Sequence, residues 1–291
     1  MMDGFLNLLK PPGMTSSDAV LAVRKMLPRG VKVGHGGTLD PDAAGVLPIC
    51  VGAGARLFDY IIDKEKEYIC ELTLGIATDT QDATGLIVEK KPVEVRKEAL
   101  LALLPGFVGA IDQVPPAYSA IKRDGQRMYA LARKGAAPTI EARRVVVNSL
   151  DYLSTSGYNR YMLRVVCRKG VYIRTLMHDL GQLLGCGGHM SFLLRSRAGV
   201  FTLEDAATLE QMRDAGDMEK LLYPLDAPLG YLPEVRLNEA QRHAVKNGNP
   251  IKHEGGLNPG TFVRVYLGEQ FAGIGEADGE DRIRFKAMLL K

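Results

Sequence analysis

The chain has 291 residues, enough for one large domain or for a large and a small one, because single hydrophobic cores stop growing near ~250–300 residues. Hydrophobic residues make up 46% and charged residues 24%, which excludes a largely disordered or fibrous protein. No apolar run reaches the ~18 residues of a membrane helix, and Asp3 and Lys10 interrupt the N-terminal segment where a signal peptide would be apolar. We therefore expect a cytoplasmic protein without a membrane partner.

The net charge is only +3, but the positive residues concentrate in two runs, residues 119–147 and 160–197. Both runs also contain tyrosines. Cationic patches interleaved with aromatic rings suit a polyanion that also offers bases for stacking. The distribution favours nucleic acid as a partner, against the alternative that these charges only solvate exposed faces.

The cysteines and histidines do not form a ligand pattern. The four cysteines are far apart and make no CxxC pair, and the five histidines include no HExxH. We expect reduced, buried thiols, no bound metal and no disulfide framework. Chemistry in this chain then depends on carboxylates, tyrosines and arginines.

The first predicted element is a helix at SSDAVLAVRKMLPRG, which Ser16 or Ser17 caps and Pro28 ends. After a Gly-rich loop, EYICELTLG predicts a strand, and its alternation places Tyr68 on the same face as three apolar residues. VRKEALLALLPGFVG predicts a second helix, closed by a Pro-Gly pair. Tyr68 therefore stands near the start of a strand.

A polar stretch from Asp112 to Ile140 contains many turn-forming pairs and predicts a mobile insertion, and loops of that length tend to be functional. Beyond it, RYMLRVVCRKGVYIRTLMHDLGQLLG predicts a strand, a turn and a helix. Arg174 leaves the apolar stripe of that helix near its start. The tail contains short alternating runs, including TFVRVYL and QFAGIGEA, which predict a small β-barrel joined near Leu232.

The stretch GHGGTLDPDAAGVLP places Asp40 and Asp42 among glycines that make its backbone flexible. A dinucleotide-binding fingerprint fails because Leu39 stands where the third glycine belongs. A calcium-binding EF-hand loop fails because Ala44 and Val51 stand at ligand positions. A DxD phosphotransferase is the main rival, since the two aspartates have its spacing, although the glycines before them make a poor strand.

What remains is a single carboxylate, Asp40, on a backbone that can approach a ligand closely. Such a carboxylate is useful when the ligand is a bulky nucleotide that has been turned out of its stack. The plain alternative is that Asp40 is a turn residue that caps the next segment.

Extended to GHGGTLDPDAAGVLPICVGAGARL, the same stretch resembles the catalytic motif of the TruB family of tRNA pseudouridine synthases, HxGxLDPxAxGxLP. Four further segments resemble family motifs: LLKPPGMTSSDAV, KEYICELTLGIATDTQDATG, QVPPAYSAIKRDGQRMYALARKG and KGVYIRTLMHDLGQLLGCGGHMSFLLRSRAG. The tail is similar to the family's C-terminal PUA-like domain. The resemblance covers nearly the whole chain, with the motifs in the family's order.

The resemblance implies an α+β pseudouridine synthase fold with a mixed, largely antiparallel central sheet flanked by helices and loops. The catalytic domain would span 1–231, with an RNA-gripping insertion at about 112–147, and a small PUA-like β-barrel would span 232–291. The implied activity is isomerisation of uridine-55 in the tRNA T-loop by base flipping, without cofactor or metal. We expect a stand-alone bacterial enzyme, monomeric and without an obligate protein partner. The alternatives are a guide-RNA-dependent relative and an RNA-binding or tRNA-folding protein.

The resemblance also implies roles for particular residues. Asp40 would be the essential carboxylate, Arg174 its charge partner, and Tyr68 would stack on the flipped uracil. Asp82 would hold the arginine from its other side, and His35 would stack where the target base has left the RNA. The expected substrate-binding residues are His35, Asp82, Lys122, Arg133, Tyr172 and Leu193.

Overall fold

A computed structural model describes residues 2–116, 140–253 and 255–290, and the main chain at 122–123 and 126–127. Its helices are α1 Ser16–Lys25, α2 Phe58–Ile62, α3 Lys97–Leu103, α4 Ile173–Leu183, α5 Leu209–Asp214 and α6 Arg242–Lys246. Across these ranges no helix combines the length and the apolar character needed to cross a membrane.

Two curved sheets contain most of the strands. These are β1 Gly4–Lys10, β2 Val33–His35, β3 Ala44–Val51, β4 Lys66–Leu74, β5 Ile76–Thr78, β6 Ile87–Lys90, β7 Gly109–Gln113, β8 Lys122–Arg123, β9 Gln126–Arg127, β10 Arg143–Gly157, β11 Arg160–Cys167, β12 Gly188–Ala198, β13 Phe201–Thr202, β14 Glu234–Leu237, β15 Ile251–Lys252, β16 Phe262–Leu267, β17 Gln270–Ala277 and β18 Arg282–Met288.

The larger sheet has the order β1-β3-β12-β4-β11-β10-β7, with β2 beside β3 and β13 beside β12. Its neighbouring strands are antiparallel except for β3 and β12, which run parallel. The smaller sheet has the order β14-β16-β17-β18-β15 and forms a curled half-barrel, whose first and last strands do not pair in the described residues. The predicted α+β class with a mixed, largely antiparallel sheet is confirmed.

Helix α1 begins at a capping box made by Thr15 and Asp18. The Thr15 hydroxyl accepts a hydrogen bond from the Asp18 amide, and the Asp18 carboxylate accepts one from the Thr15 amide. The prediction that Ser16 or Ser17 caps this helix is therefore wrong. Ser16 lies inside the first turn, where its side chain is buried and bonds the main chain of Leu39.

Strand β4 lies in the middle of the larger sheet, between β12 and β11. Tyr68, Cys70, Leu72 and Leu74 are buried, as the alternation of the sequence predicts. Burial of one such apolar side chain contributes ~1.5–3 kcal/mol, which fixes the register of the strand. Tyr68 is therefore held in a rigid element rather than in a loop.

The two sheets share one apolar cluster. Phe5, Val46 and Leu57 of the first 231 residues pack with Ile274 and Ala287 of the half-barrel. Because these side chains exclude water from both sheets at once, the two parts of the chain stabilise each other. The boundary between residues 231 and 232 stays a prediction.

Candidate active site

Asp40 lies on the segment 36–43, which connects β2 to β3 and is called the Asp40 loop below. Side chains from other elements bind its main chain. The buried Ser16 hydroxyl bonds both the amide of Leu39 at 2.9 Å and its carbonyl oxygen at 3.0 Å. The Lys10 ammonium donates to the carbonyl of the residue after Asp40 at 3.0 Å. The loop is therefore bound on several sides, whereas its glycines predict a flexible backbone.

Arg174 connects two carboxylates at the start of α4. Its Nε lies 3.0 Å from Asp40 Oδ2 and its Nη2 lies 3.5 Å from Asp40 Oδ1. Its Nη1 lies 3.2 Å from Asp82 Oδ2 and also donates to the carbonyl of Thr80 at 3.2 Å. The Arg174 side chain is 7% exposed, against 40% for Asp40 and 16% for Asp82. The arginine is thus buried off the apolar stripe, and of the three side chains Asp40 is the most open to solvent.

Asp82 is bound mainly by its own loop. Its Oδ1 accepts hydrogen bonds from the Thr80 hydroxyl at 2.7 Å, the Thr84 hydroxyl at 2.6 Å and the Thr84 amide at 3.0 Å. Its Oδ2 faces Arg174. The hydrogen-bonding capacity of this carboxylate is therefore taken up by protein groups.

The surroundings of Asp40 act on its ionisation in opposite directions. Burial in the cleft raises the pKa of Asp40, the Arg174 charge lowers it, and the Asp82 charge raises it. We infer an ionised carboxylate near neutral pH, because the side chain keeps solvent access and Arg174 pairs with both its oxygens. Such a group can attack an electrophilic carbon or accept a proton.

Tyr68 stands opposite Arg195 across the β4–β12 pair. Burial raises the pKa of its hydroxyl, while the positive charge of Arg195 lowers it. The hydroxyl therefore stays protonated near neutral pH and can donate a hydrogen bond. Asp40 is close enough for its charge to act on the same hydroxyl.

The predicted pocket residues Tyr172 and Leu193 occupy different environments. Tyr172 precedes α4, half-buried, and the Gln113 side chain bonds its amide at 2.7 Å and its carbonyl at 3.0 Å. Leu193 is buried in the main apolar cluster and pairs with Cys70 across the sheet. Leu193 thus has the surroundings of a core residue.

His35 ends β2 and lines a cavity of about 540 Å³, together with Ser17, Arg24 and Phe58. The cavity lies beside α1, and its lining among the described residues includes none from the Asp40 loop. Lys122 belongs to the two-residue strand β8, whose main chain pairs with β9. The Lys122 side chain and the whole of Arg133 lie outside the described residues.

The run 160–197 does not form the continuous basic surface that its composition predicts. Arg174 and Arg195 are buried. Four other cations of the run form ion pairs: Arg160 with Glu71, Arg164 with Asp151, Lys169 with Asp63 and Arg197 with Glu65. Arg174 and Arg195 therefore do not belong to a surface patch, and the prediction that the rest of this run binds RNA stays a prediction.

Sequence reasoning missed the side chains that position the site, namely Lys10, Ser16, Gln113 and Arg195. Lys10 and Ser16 lie in the segment LLKPPGMTSSDAV, so their proximity to Asp40 could have been sought there. Burial lowers the pKa of Lys10 to about 8, while the charges of Asp42 and Asp40 raise it. Arg195 was hidden in a run interpreted as surface.

The site brings together a carboxylate, a guanidinium and a phenol. In the described portion of the chain, no group of three or more His, Cys, Asp or Glu side chains could hold a metal ion. By itself this set supports proton transfer or nucleophilic attack by Asp40, with Arg174 stabilising negative charge.

Family profiles cover almost the whole chain. Residues 24–173, more than half of it, match "TruB family pseudouridylate synthase (N terminal domain)". The chain belongs to the TruB family of pseudouridine synthases. Residues 174–230 match the "tRNA pseudouridylate synthase B C-terminal domain", and residues 233–289 match "Pseudouridine synthase II TruB, C-terminal". This TruB family member is therefore an isomerase of the pseudouridine synthase class.

Curated bacterial relatives support the same assignment. Proteins named tRNA pseudouridine synthase B from Alkaliphilus oremlandii and Syntrophomonas wolfei are 41% and 43% identical to this TruB family chain. The alignments cover 96% and 95% of this chain, and 95% and 94% of the relatives. The Clostridioides difficile protein of the same name is 43% identical, over 94% of each chain.

Solved structures share the fold of this TruB family member. An H/ACA RNP bound to a substrate RNA containing 2′-deoxyuridine includes a chain with a TM-score of 0.76 at 24% identity. The alignment covers 100% of this chain and 86% of that one. A Cbf5-Nop10-Gar1 complex gives a TM-score of 0.73 at 26% identity, covering 100% and 84%. The predicted pseudouridine synthase fold is confirmed.

Proposed function

We propose that this chain isomerises uridine-55 in the T-loop of tRNA to pseudouridine, with Asp40 as the essential carboxylate. The observation that carries the proposal is the pairing of Asp40 with the buried Arg174 while 40% of the Asp40 side chain stays exposed. A carboxylate held in this way keeps its charge and remains accessible to a nucleotide. The names of the curated relatives support tRNA as the substrate.

The reaction breaks the N1–C1′ bond of uridine, turns the uracil and joins C5 to C1′. One proton leaves C5 and one is taken up at N1, so atoms and electrons balance without a cofactor. Asp40 supports three routes: attack on the base, attack on C1′, or removal of a proton from the sugar. Arg174 orients the carboxylate in each of them.

In this proposal the remaining site residues contribute to binding of the RNA and of the flipped uracil. Flipping a nucleotide costs a few kcal/mol. Two stacking contacts offset this cost: the uracil stacks on Tyr68, and His35 stacks within the RNA. Tyr172 and Leu193 line the pocket, and Asp82 holds Arg174 from its other side. Lys122 and Arg133 of the insertion bind phosphates.

The proposal includes a monomer that acts in the cytoplasm without an obligate protein partner. A guide-RNA-dependent function is less well supported, because the relatives named tRNA pseudouridine synthase B are 41–43% identical whereas the H/ACA and Cbf5 chains are 24–26% identical. An RNA-folding function differs in one respect, since it would survive the loss of Asp40.

The test is release of tritium from tRNA carrying [5-³H]uridine, incubated with the pure protein alone. We expect release by the parent chain, none by Asp40→Asn, and nearly parental release by Asp42→Asn. Asp42 is the matched control because it is exposed and lies two residues away on the same loop. Binding of tRNA by Asp40→Asn should stay near the parental level, since removing an anion reduces repulsion of RNA.

Absence of release by the parent chain would contradict the proposed activity. Equal dependence on Asp40 and Asp42 would favour the DxD phosphotransferase, which needs both carboxylates. Full activity of Asp40→Asn would remove the carboxylate from the mechanism.

A further inference from the structure

Arg195 of β12 is among the largest fully buried side chains in the described residues, with 1% of its surface exposed. Its guanidinium donates to the carbonyl oxygens of Val46 at 2.7 Å, Gly37 at 3.2 Å and Thr38 at 3.4 Å. Gly37 and Thr38 precede Asp40, whereas Val46 follows it on β3. One side chain thus binds the main chain on both sides of the catalytic carboxylate.

These bonds come at a high desolvation cost. Burying an ion costs several kcal/mol, and an arginine cannot relieve that cost by losing its proton. Within the ranges that the structure describes, no carboxylate forms an ion pair with Arg195, and Lys66 adds a second positive charge nearby. A buried cation bonded to neutral carbonyls therefore has a role in geometry rather than in charge pairing.

The main chain of Arg195 also contacts the end of the loop. In the parallel β3–β12 pair, Arg195 is opposite Gly45. Gly45 has a φ of +117°, and a Cβ there would lie 2.2 Å from the carbonyl oxygen of Arg195. Only glycine fits this approach, so the position of β12 determines where the Asp40 loop enters β3.

The same side chain lies beside Tyr68. Arg195 and Tyr68 are directly opposite each other in the antiparallel β4–β12 pair, so their side chains are neighbours on one face of the sheet. Arg195 is therefore bonded to the loop that bears Asp40 and lies next to the side chain expected to contact the uracil.

We propose that Arg195 is a positioning residue that fixes the distance between the Asp40 carboxylate and the Tyr68 hydroxyl. The inference rests on the proposed isomerisation for its activity readout. Because the reacting groups must be placed to within a fraction of an ångström, a small shift of the loop lowers the rate without removing the groups that bind tRNA.

Arg197, two residues further along β12, is the matched control. Its side chain is 33% exposed and pairs with Glu65 at 2.7 Å, outside the site. Arg195→Lys and Arg197→Lys make the same chemical change on the same strand. Lysine keeps the charge but cannot bond three carbonyl oxygens at once as a planar guanidinium does.

The experiment compares single-turnover tritium release and the Kd for tRNA in the parent, Arg195→Lys and Arg197→Lys. We expect Arg195→Lys to lower the rate constant about 100-fold with Kd changed less than threefold, because a misplacement of about 1 Å costs roughly that factor. We expect Arg197→Lys to stay within threefold of the parent in both quantities.

Gly45→Ala tests the same contact from the other side, with Gly30→Ala as control. Gly30 has a φ of +87° but nothing within 4 Å of an added Cβ, so it shares the backbone strain without the clash. We expect a selective loss of rate in Gly45→Ala only, with both variants folded by circular dichroism.

A rate for Arg195→Lys within threefold of the parent would overturn the proposal. A parallel loss of rate, tRNA affinity and melting temperature in both Arg195→Lys and Gly45→Ala would also overturn it, because it would indicate general unfolding. Failure of the proposed function would differ from both, since the parent chain itself would release no tritium.

Discussion

Two acidic loops meet at Arg174, and they are built differently. The Asp40 loop is bound from outside, by Lys10, Ser16 and Arg195, which belong to three other elements. Met190 of β12 and two residues of α4, Arg174 and Thr175, also bond the Asp82 loop, residues 79–86 between β5 and β6, from outside. What differs is the carboxylate, because Asp82 accepts hydrogen bonds from the Thr80 and Thr84 hydroxyls of its own loop.

The difference indicates which carboxylate reacts and which one anchors. Within the described residues the Asp40 side chain bonds Arg174 and accepts no hydrogen bond from its own loop. Asp82 uses Oδ1 to hold its own loop and Oδ2 to hold the arginine. A group saturated with protein donors is a poor nucleophile or base.

Arg174→Lys breaks the element that both loops share, and it has the largest expected effect of the variants that keep both carboxylates. The rate of tritium release should fall on the order of 100- to 1,000-fold, the usual loss when a preorganised charge contact is removed. Arg164→Lys, which alters the exposed pair with Asp151, should leave the rate unchanged. A parental rate for Arg174→Lys would show that a point charge suffices and that the two-pronged contact is unimportant.

Ser16→Ala releases the Asp40 loop from outside. It leaves the buried amide and carbonyl of Leu39 without their hydroxyl partner, which costs about 1–3 kcal/mol of stability per unsatisfied group. We expect a lower melting temperature and a rate reduced roughly tenfold by loop displacement. Thr84→Val is the counterpart on the Asp82 loop and should cost less than threefold in rate, because the Thr80 hydroxyl and the Thr84 amide still bind Asp82. Equal losses in the two variants would contradict the distinction between the loops.

The smallest expected effect is a shift in the pH dependence of the Asp82→Asn variant. Burial raises the pKa of Asp40, and the negative charge of Asp82 raises it further. Activity that needs ionised Asp40 should increase as pH rises through that pKa. Removing the Asp82 charge lowers the pKa of Asp40, so the acidic limb of the single-turnover pH profile should move to lower pH. An acidic limb that stayed in place or moved to higher pH would contradict the assignment of this limb to Asp40.

The sequence predicted the parts of the site that local patterns encode. Alternation placed Tyr68 on the buried face of β4, and the 3.6-residue period placed Arg174 off the apolar stripe of α4. Arg195 and Arg197 are the same residue type two positions apart, yet one is buried under the Asp40 loop and the other pairs at the surface. Only the packing of β3 against β12, which are far apart in sequence, distinguishes them.

The N-terminal cap of α1 also shows that local sequence patterns cannot decide every position. Thr15, Ser16 and Ser17 are all good capping residues, so propensity cannot choose among them. Thr15 caps α1 because Asp18 completes the capping box and because the Asp40 loop takes up the Ser16 hydroxyl. A long-range contact thus decided a local boundary.

The most direct test of the distinction between reacting and anchoring carboxylates is single-turnover tritium release by Asp40→Asn and Asp82→Asn, measured side by side with tRNA binding. The two changes remove the same charge from opposite sides of Arg174. We expect no detectable release by Asp40→Asn with tRNA bound about as well as by the parent, and measurable release by Asp82→Asn, reduced roughly 10- to 100-fold through loosening of Arg174. Turnover by Asp40→Asn would contradict the account, most strongly if Asp82→Asn were completely inactive.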